Sequence, residues 1–90
     1  MNFSFRYTAA FKRDIKRLKR QRKNLEKLKT VLDNLSRGKK LNKRYRDHVL
    51  YGQYKGTREC HIEPDWLLIY EPTINEIILI RTGSHAELFR

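Results

Sequence analysis

Ninety residues, 39% of them apolar, leave room for one modest core, so a single domain spanning residues 1–90 is expected. The longest apolar runs, WLLIY and IILI, are too short to cross a bilayer, MNFSFRY does not read as a signal peptide, and the lone Cys60 has no internal disulfide partner; together these point to a reducing cytoplasm and away from a membrane. The net charge of +11 is unevenly held, with 17 Lys/Arg against 3 Asp/Glu in residues 1–46 and 4 against 7 in residues 47–90, and a polycation of that density is drawn to polyanions, nucleic acid foremost.

FSFRY, residues 3–7, alternates apolar and polar and predicts a short strand. Thr8 can cap the helix that follows, in which Phe11, Ile15 and Leu18 share one face and Lys12, Lys16, Lys19 and Arg20 surround the rest. The pattern resets at residues 21–23. Leu25, Leu28, Leu32 and Leu35 then mark a second apolar stripe, with Gly38 as its terminator. Two helices with one apolar face each form an α-hairpin that must lie on something. KKLNKRYR, residues 39–46, reads as a basic loop, and HVLYGQY as a short strand or turn. TRECHIE predicts a strand with Thr57, Glu59 and His61 on one side and Arg58, Cys60 and Ile62 on the other. Pro64 and Asp65 turn the chain. WLLIYE is apolar enough for a strand buried on both faces, and EIILIRT is a third. Short connections make these three an antiparallel meander, with the helices covering one face. After Gly83, Ser84 and Glu87 have capping-box spacing. One helical turn is therefore expected from His85, with unpaired N–H groups that favour an anion.

All three histidines, His48, His61 and His85, fall near the ends of predicted elements, as do Asp65 and Arg81. Strand tips on one edge of a meander converge, so these five are expected to share a cleft. Nucleophilic catalysis is disfavoured, because Ser84 is committed to capping and Cys60 points away from His61. His48, His61, Asp65 and His85 make a credible zinc set but lack a tight ligand spacing. General acid–base cleavage of RNA accounts for the most residues. The substrate brings its own nucleophile, the 2′-OH; imidazoles suit both proton transfers; a planar arginine suits the phosphorane oxygens. Asp65 would act as base or orient an imidazole, and no metal or other cofactor is required. Trp66, Tyr51, Tyr54 and Phe89 can stack on splayed bases. The competing reading is a non-catalytic basic module that binds RNA or an acidic protein.

DHVLYGQYKGTRECHIEPDWLLIYE, followed by IRTGSHAELF, resembles the YafQ-like branch of the RelE/ParE superfamily, the toxins of bacterial type II toxin–antitoxin pairs. The shared pattern is DH-x-L-x-G-x-(Y/W)-K-x-x-R-(E/D)-x-H-I-x-PDWLLIY and then R-x-G-(S/T)-H-x-x-LF, running from Asp47 to Phe89. The resemblance implies an α+β, RelE-like fold: an N-terminal strand and helical hairpin packed on a small, mainly antiparallel sheet, with a short C-terminal helical turn. It implies a ribosome-dependent mRNA endonuclease that cuts without a metal. His48, His61, Asp65 and His85 become its catalytic residues, with His85 as general acid, and Arg81, Phe89, Trp66 and Lys55 meet the substrate. The implied partners are mRNA, ribosomal RNA and an antitoxin whose acidic C-terminal segment wraps the toxin, itself a monomer within the hetero-oligomeric complex. The histidine set argues against the gyrase-poisoning branch of the same superfamily.

Overall fold

The computed structural model describes residues 2–89. Strand β1 (Ser4–Tyr7) leads into helix α1 (Ala9–Arg20), where Thr8 caps the first turn by accepting the Phe11 N–H at 3.0 Å. Helix α2 (Leu25–Ser36) follows a tight link in which Arg22 adopts a left-handed conformation, and the Asn24 side chain caps its start. Gly38, with φ +69°, ends α2, and the Lys39 N–H closes back on Asn34 O at 3.1 Å. These local signals do what their sequence promised. The buried stripe of α2 departs in one detail: Leu28, Val31 and Leu35 face inward, while Leu25 and Leu32 are only partly covered.

The expected basic loop contains a 3-10 turn at Lys43–Tyr45, followed by the two-residue strand β2 (His48–Val49) and a second turn at Gly52–Tyr54. Strands β3 (Arg58–Glu63), β4 (Trp66–Pro72) and β5 (Glu76–Gly83) form the predicted antiparallel meander. A single turn, α3 (His85–Leu88), closes the described chain. The sheet order is β1-β5-β4-β3-β2, and β1 runs parallel to β5, so the sheet is mixed. That pairing joins residues about seventy positions apart, as in Tyr7 opposite Leu79.

Helices α1 and α2 lie on one face. There Phe11, Leu18, Leu28, Val31 and Leu35 pack against Cys60, Trp66, Leu68, Tyr70, Ile77 and Leu79. The opposite face carries a smaller cluster, Leu67, Ile69 and Leu88, flanked by Leu50, Tyr54, Ile80 and Phe89. This second cluster seats α3 and the Gly52–Tyr54 turn, and the candidate site is built around it.

An irregularity in β5 decides what faces that side. Leu79 pairs with Tyr70, but Arg81 pairs with Ile69, so Ile80 is an extra residue. Simple alternation would put Ile77, Leu79 and Arg81 on one face. The bulge instead turns Arg81 to the face of Ile69, and Thr82 returns to the helix side opposite Leu68. Beyond the end of β1, α1 takes over the exposed edge of β5: Asp14 accepts the Thr82 N–H at 3.0 Å, where a neighbouring strand would otherwise sit.

Candidate active site

Cross-strand register aligns His48 with Glu59, Glu59 with Ile69 and Ile69 with Arg81, forming one row across the face opposite the helices. His61, opposite Leu67, lies one step along in the next row, which ends at Gly83. The His48 and His61 rings stand 6.2 Å apart between centroids. Backbone carbonyls fix both. His48 Nδ1 bonds Arg46 O at 2.6 Å, and His61 Nδ1 bonds Pro64 O at 3.3 Å. A carbonyl only accepts, so each Nδ1 carries the proton. Both Nε2 atoms therefore turn toward Glu59 Oε1, at 3.3 Å for His48 and 3.5 Å for His61. Glu59 is buried, while both imidazoles beside it stay partly open to solvent.

The tail supplies the other side of the site. Gly83 sits under the Arg17 guanidinium; a Cβ there would overlap Arg17 and come within 2.8 Å of Glu87 Oε1. Its φ of +155° adds a second reason for glycine. Ser84 and Glu87 form the full capping box, with the Glu87 N–H donating to Ser84 Oγ at 3.2 Å and the Ser84 N–H to Glu87 Oε1 at 2.7 Å. Arg17 reaches Glu87 Oε2 at 2.9 Å, tying α3 to α1. Asp65 Oδ1 accepts the His85 N–H at 2.9 Å, so the turn that holds His61 also holds the start of α3. His85 itself is exposed, and its ring leans on Phe89 at 4.8 Å. Phe89 meets Tyr54 edge-on at 5.6 Å.

Arg81 is steered by Asp14, which accepts from its Nε at 2.6 Å and from Nη2 at 3.0 Å. Asp14 also accepts from Arg17 at 2.7 Å. Burial alone would raise the Asp14 pKa, but the hydrogen bonds from Arg81, Thr82 and Arg17 outweigh it and hold the group below the usual carboxylate range. The Asp14 bond in turn raises Arg81 above the ordinary guanidinium value.

The sequence-based set thus comes together in part. His48, His61, His85, Arg81 and Phe89 share the open face. Asp65 is present, but its carboxylate holds the His85 backbone rather than an imidazole. Two of the N–H groups expected to attract an anion at α3 are already taken, by Asp65 and Ser84. Trp66 is misplaced as a substrate contact: it is 1% exposed in the helix-side core, with its indole N–H on Thr82 Oγ1 at 2.9 Å. A tryptophan that opens a wholly buried strand is held by packing on both sides. Lys55 is exposed just after the Gly52–Tyr54 turn, and Tyr51 is 81% exposed. Cys60 is fully buried, and burial pushes its thiol far above the normal range, so it is inert.

Glu59 and Asp14 were missed as site residues. Glu59 had a readable signal, since alternation already placed it beside His61. Asp14 had one too, as an acid one turn from Phe11 and Leu18 on an apolar helix face. The metal-capable group also changes. Among the described residues it is His48, Glu59 and His61, whose ligand atoms lie within 4.8 Å of one another; Asp65 and His85 stand outside it.

Comparison with known proteins agrees with this architecture. The mRNA interferase toxin YafQ of Escherichia coli strain K12 is 39% identical over 84 residues, covering 92% of this chain and 91% of its own. In the E. coli DinJ-YafQ toxin-antitoxin complex, a chain 36% identical matches with a TM-score of 0.92, covering 100% of each chain. A metal-bound toxin from Helicobacter pylori, 38% identical, matches at 0.90 over 97% of this chain and 99% of its own. The family model described as "Bacterial toxin of type II toxin-antitoxin system, YafQ" matches residues 3–90, so both helices and the whole histidine-bearing sheet fall within it, and the chain belongs to the YafQ family of bacterial type II toxins.

Proposed function

We propose that this toxin is an endoribonuclease that cuts messenger RNA on the translating ribosome, using the RNA's own 2′-OH as nucleophile. The observation that carries the reading is the clustering of His48, His61, His85 and Arg81 on one open sheet face. In the proposed reaction a base removes the 2′-OH proton as O2′ bonds to phosphorus. The bond to O5′ breaks, and an acid returns a proton to that oxygen, leaving a 2′,3′-cyclic phosphate and a 5′-OH. His48 and His61 suit the first transfer: their Nε2 atoms, which lie 3.3 and 3.5 Å from Glu59 Oε1, would turn from it to the 2′-OH, with Glu59 balancing the positive charge gained. His85, with its exposed ring on the opposite side, suits the second. The part of Arg81 not engaged by Asp14 faces the charge that develops on phosphorus. Phe89 and Tyr54 offer an aromatic corner for a base. The basic, exposed faces of α1 and α2 suit ribosomal RNA, and the same charge suits an acidic antitoxin segment. The E. coli relative is found in a toxin-antitoxin complex with DinJ. No described helix is long and apolar enough to cross a membrane.

A second reading concerns metal. His48, Glu59 and His61 would hold a divalent ion through Nε2, Oε1 and Nε2, and the H. pylori relative is described as metal-bound. With an ion there, neither imidazole is free to take a proton, so on our reading metal is a brake and not a requirement.

Primer extension on ribosomes programmed with a defined message tests both. Wild-type protein is expected to cut in EDTA, His85→Ala to bind ribosomes without cutting, and added zinc to slow the wild type. Cutting lost in EDTA and restored by zinc would make the metal site catalytic. Wild-type cutting by His85→Ala would remove the assigned acid.

A further inference from the structure

A cavity of about 440 Å³ opens beside His61, between α2 and the Lys43–Tyr45 turn. Its walls carry Lys27, Arg44, Tyr45, Arg46 and Glu63. None of the arginines and lysines on this wall is used by the reaction proposed above. The size suits one small organic ligand.

The charges around it do not balance. Glu63 is already held by Lys27 at 2.8 Å and Lys23 at 3.5 Å, and the Lys27 bond keeps its carboxyl below the usual range. Arg44 and Arg46 have no carboxylate partner among the described residues. Two like charges held on one short turn repel each other, and an anion between them relieves the repulsion.

Arg44 is also anchored. Its guanidinium lies over the Tyr45 ring at 4.8 Å, and Nη2 donates to Tyr45 Oη at 2.8 Å. Tyr45 is itself packed against the helix-side core. The result is an exposed, planar guanidinium anchored beside an aromatic ring, two kinds of surface on which a nucleobase stacks. An acidic peptide would satisfy the charges but would leave that plane unused.

The cavity is in line with the chemistry. Arg46, in a left-handed conformation at φ +49°, presents its carbonyl to His48 Nδ1, and His61 lines the cavity directly. We infer that this cleft is a subsite for a nucleotide flanking the scissile phosphate: its base stacks on the Arg44–Tyr45 pair, and its phosphate lies between Arg44 and Arg46. This rests on the endoribonuclease reading for its place in a reaction, though not for the binding itself.

The test compares Arg44→Ala, Arg44→Lys and Arg6→Ala, the last removing the same charge from the exposed edge strand β1, outside the cleft. Cleavage kinetics on programmed ribosomes are read beside equilibrium binding of a short fluorescent single-stranded RNA, the latter in a His85→Ala background. Arg44→Ala is expected to raise KM roughly tenfold with kcat nearly unchanged, and to relax base preference at one position beside the cut. Arg44→Lys should recover less than half of that loss, because it restores charge without the plane. Arg6→Ala should change KM about twofold at most. Equal effects of Arg44→Ala and Arg6→Ala, or full rescue by lysine, would overturn the subsite. So would a loss confined to binding of an acidic peptide, which would make the cleft a protein-docking site. If the wild type cuts nothing yet Arg44→Ala selectively weakens RNA binding, the proposed reaction falls and the subsite stands.

Discussion

At the scale of single residues, the buried carboxylate between two imidazoles has the clearest chemical consequence. Glu59 Oε1 is the common neighbour of both Nε2 atoms, and Gln keeps its shape while removing its charge. Glu59→Gln is therefore expected to slow single-turnover cutting by about a hundredfold or more, within the range of a lost acid–base group. Thermal stability and ribosome association should be close to wild type. An unchanged cutting rate would make Glu59 a packing residue only. The sequence made His48, His61, His85 and Arg81 legible because imidazole and guanidinium groups in the second half of the chain had few other duties. It did not separate Trp66 from the substrate-facing aromatics. The WLLIY run reads as buried, yet only the side-chain bond to Thr82 Oγ1 tells which way the indole turns. Asp65 was placed in the right turn with a different duty, because a carboxylate one residue from a strand can reach a backbone N–H as easily as an imidazole.

At the scale of elements, caps and terminators were legible because their signals are local. Thr8, Gly38 and the Ser84–Glu87 box each work through groups within a few residues. The parallel β1–β5 pair was not, since nothing local distinguishes an edge strand that pairs with its neighbour from one that pairs with the far end of the chain. Nor was the bulge at Ile80, because EIILI alternates no more clearly with an extra residue than without one. Yet the bulge puts Arg81 on the sheet face that carries His48 and His61. The β5–α3 joint carries a related prediction. Gly83→Ala would hold a side chain at φ +155° and push aside the ends of Arg17 and Glu87, at a cost of about 1–3 kcal/mol, chiefly for the strained backbone. The displacement falls on α3, so kcat should drop with His85 out of line while KM moves less. Equal Tm and kcat to wild type would show that the joint has slack the geometry does not suggest.

At the scale of the whole molecule, the uneven charge is held together by a few acids that work on several bases at once. Asp14 joins α1 to β5 through Arg81 and the Thr82 N–H and holds Arg17 of its own helix; Glu87 joins α3 to Arg17; Glu63 joins β3 to Lys27 of α2 and to Lys23 of the link before it. Each of these carboxyls sits below its ordinary range. For Asp14 and Glu87 burial opposes the shift and hydrogen bonds overcome it, and for Glu63 the Lys27 bond leads. The sign then follows. A carboxyl lowered by folding contributes stability above its unfolded pKa, and that contribution is lost as pH falls through the lowered folded value. The melting temperature should therefore be nearly flat above about pH 5 and fall steeply below about pH 4, from the ordinary Asp and Glu values. Asp14 should dominate, because its side chain is only 3% exposed while the two arginines it serves keep about a quarter of theirs. Asp14→Asn takes the carboxylate from Arg81 and leaves Arg17 to Glu87 and the Thr82 carbonyl, and is expected to cost about 2–4 kcal/mol near neutral pH, toward the lower part of the range for a broken buried pair. The variant should also lose part of the acid slope, since the wild type sheds the same interaction on protonation. If Asp14→Asn lowers Tm equally at pH 7 and pH 3, the carboxylate contributes by shape and not by charge, and the electrostatic account of how α1 is fastened to the sheet is wrong.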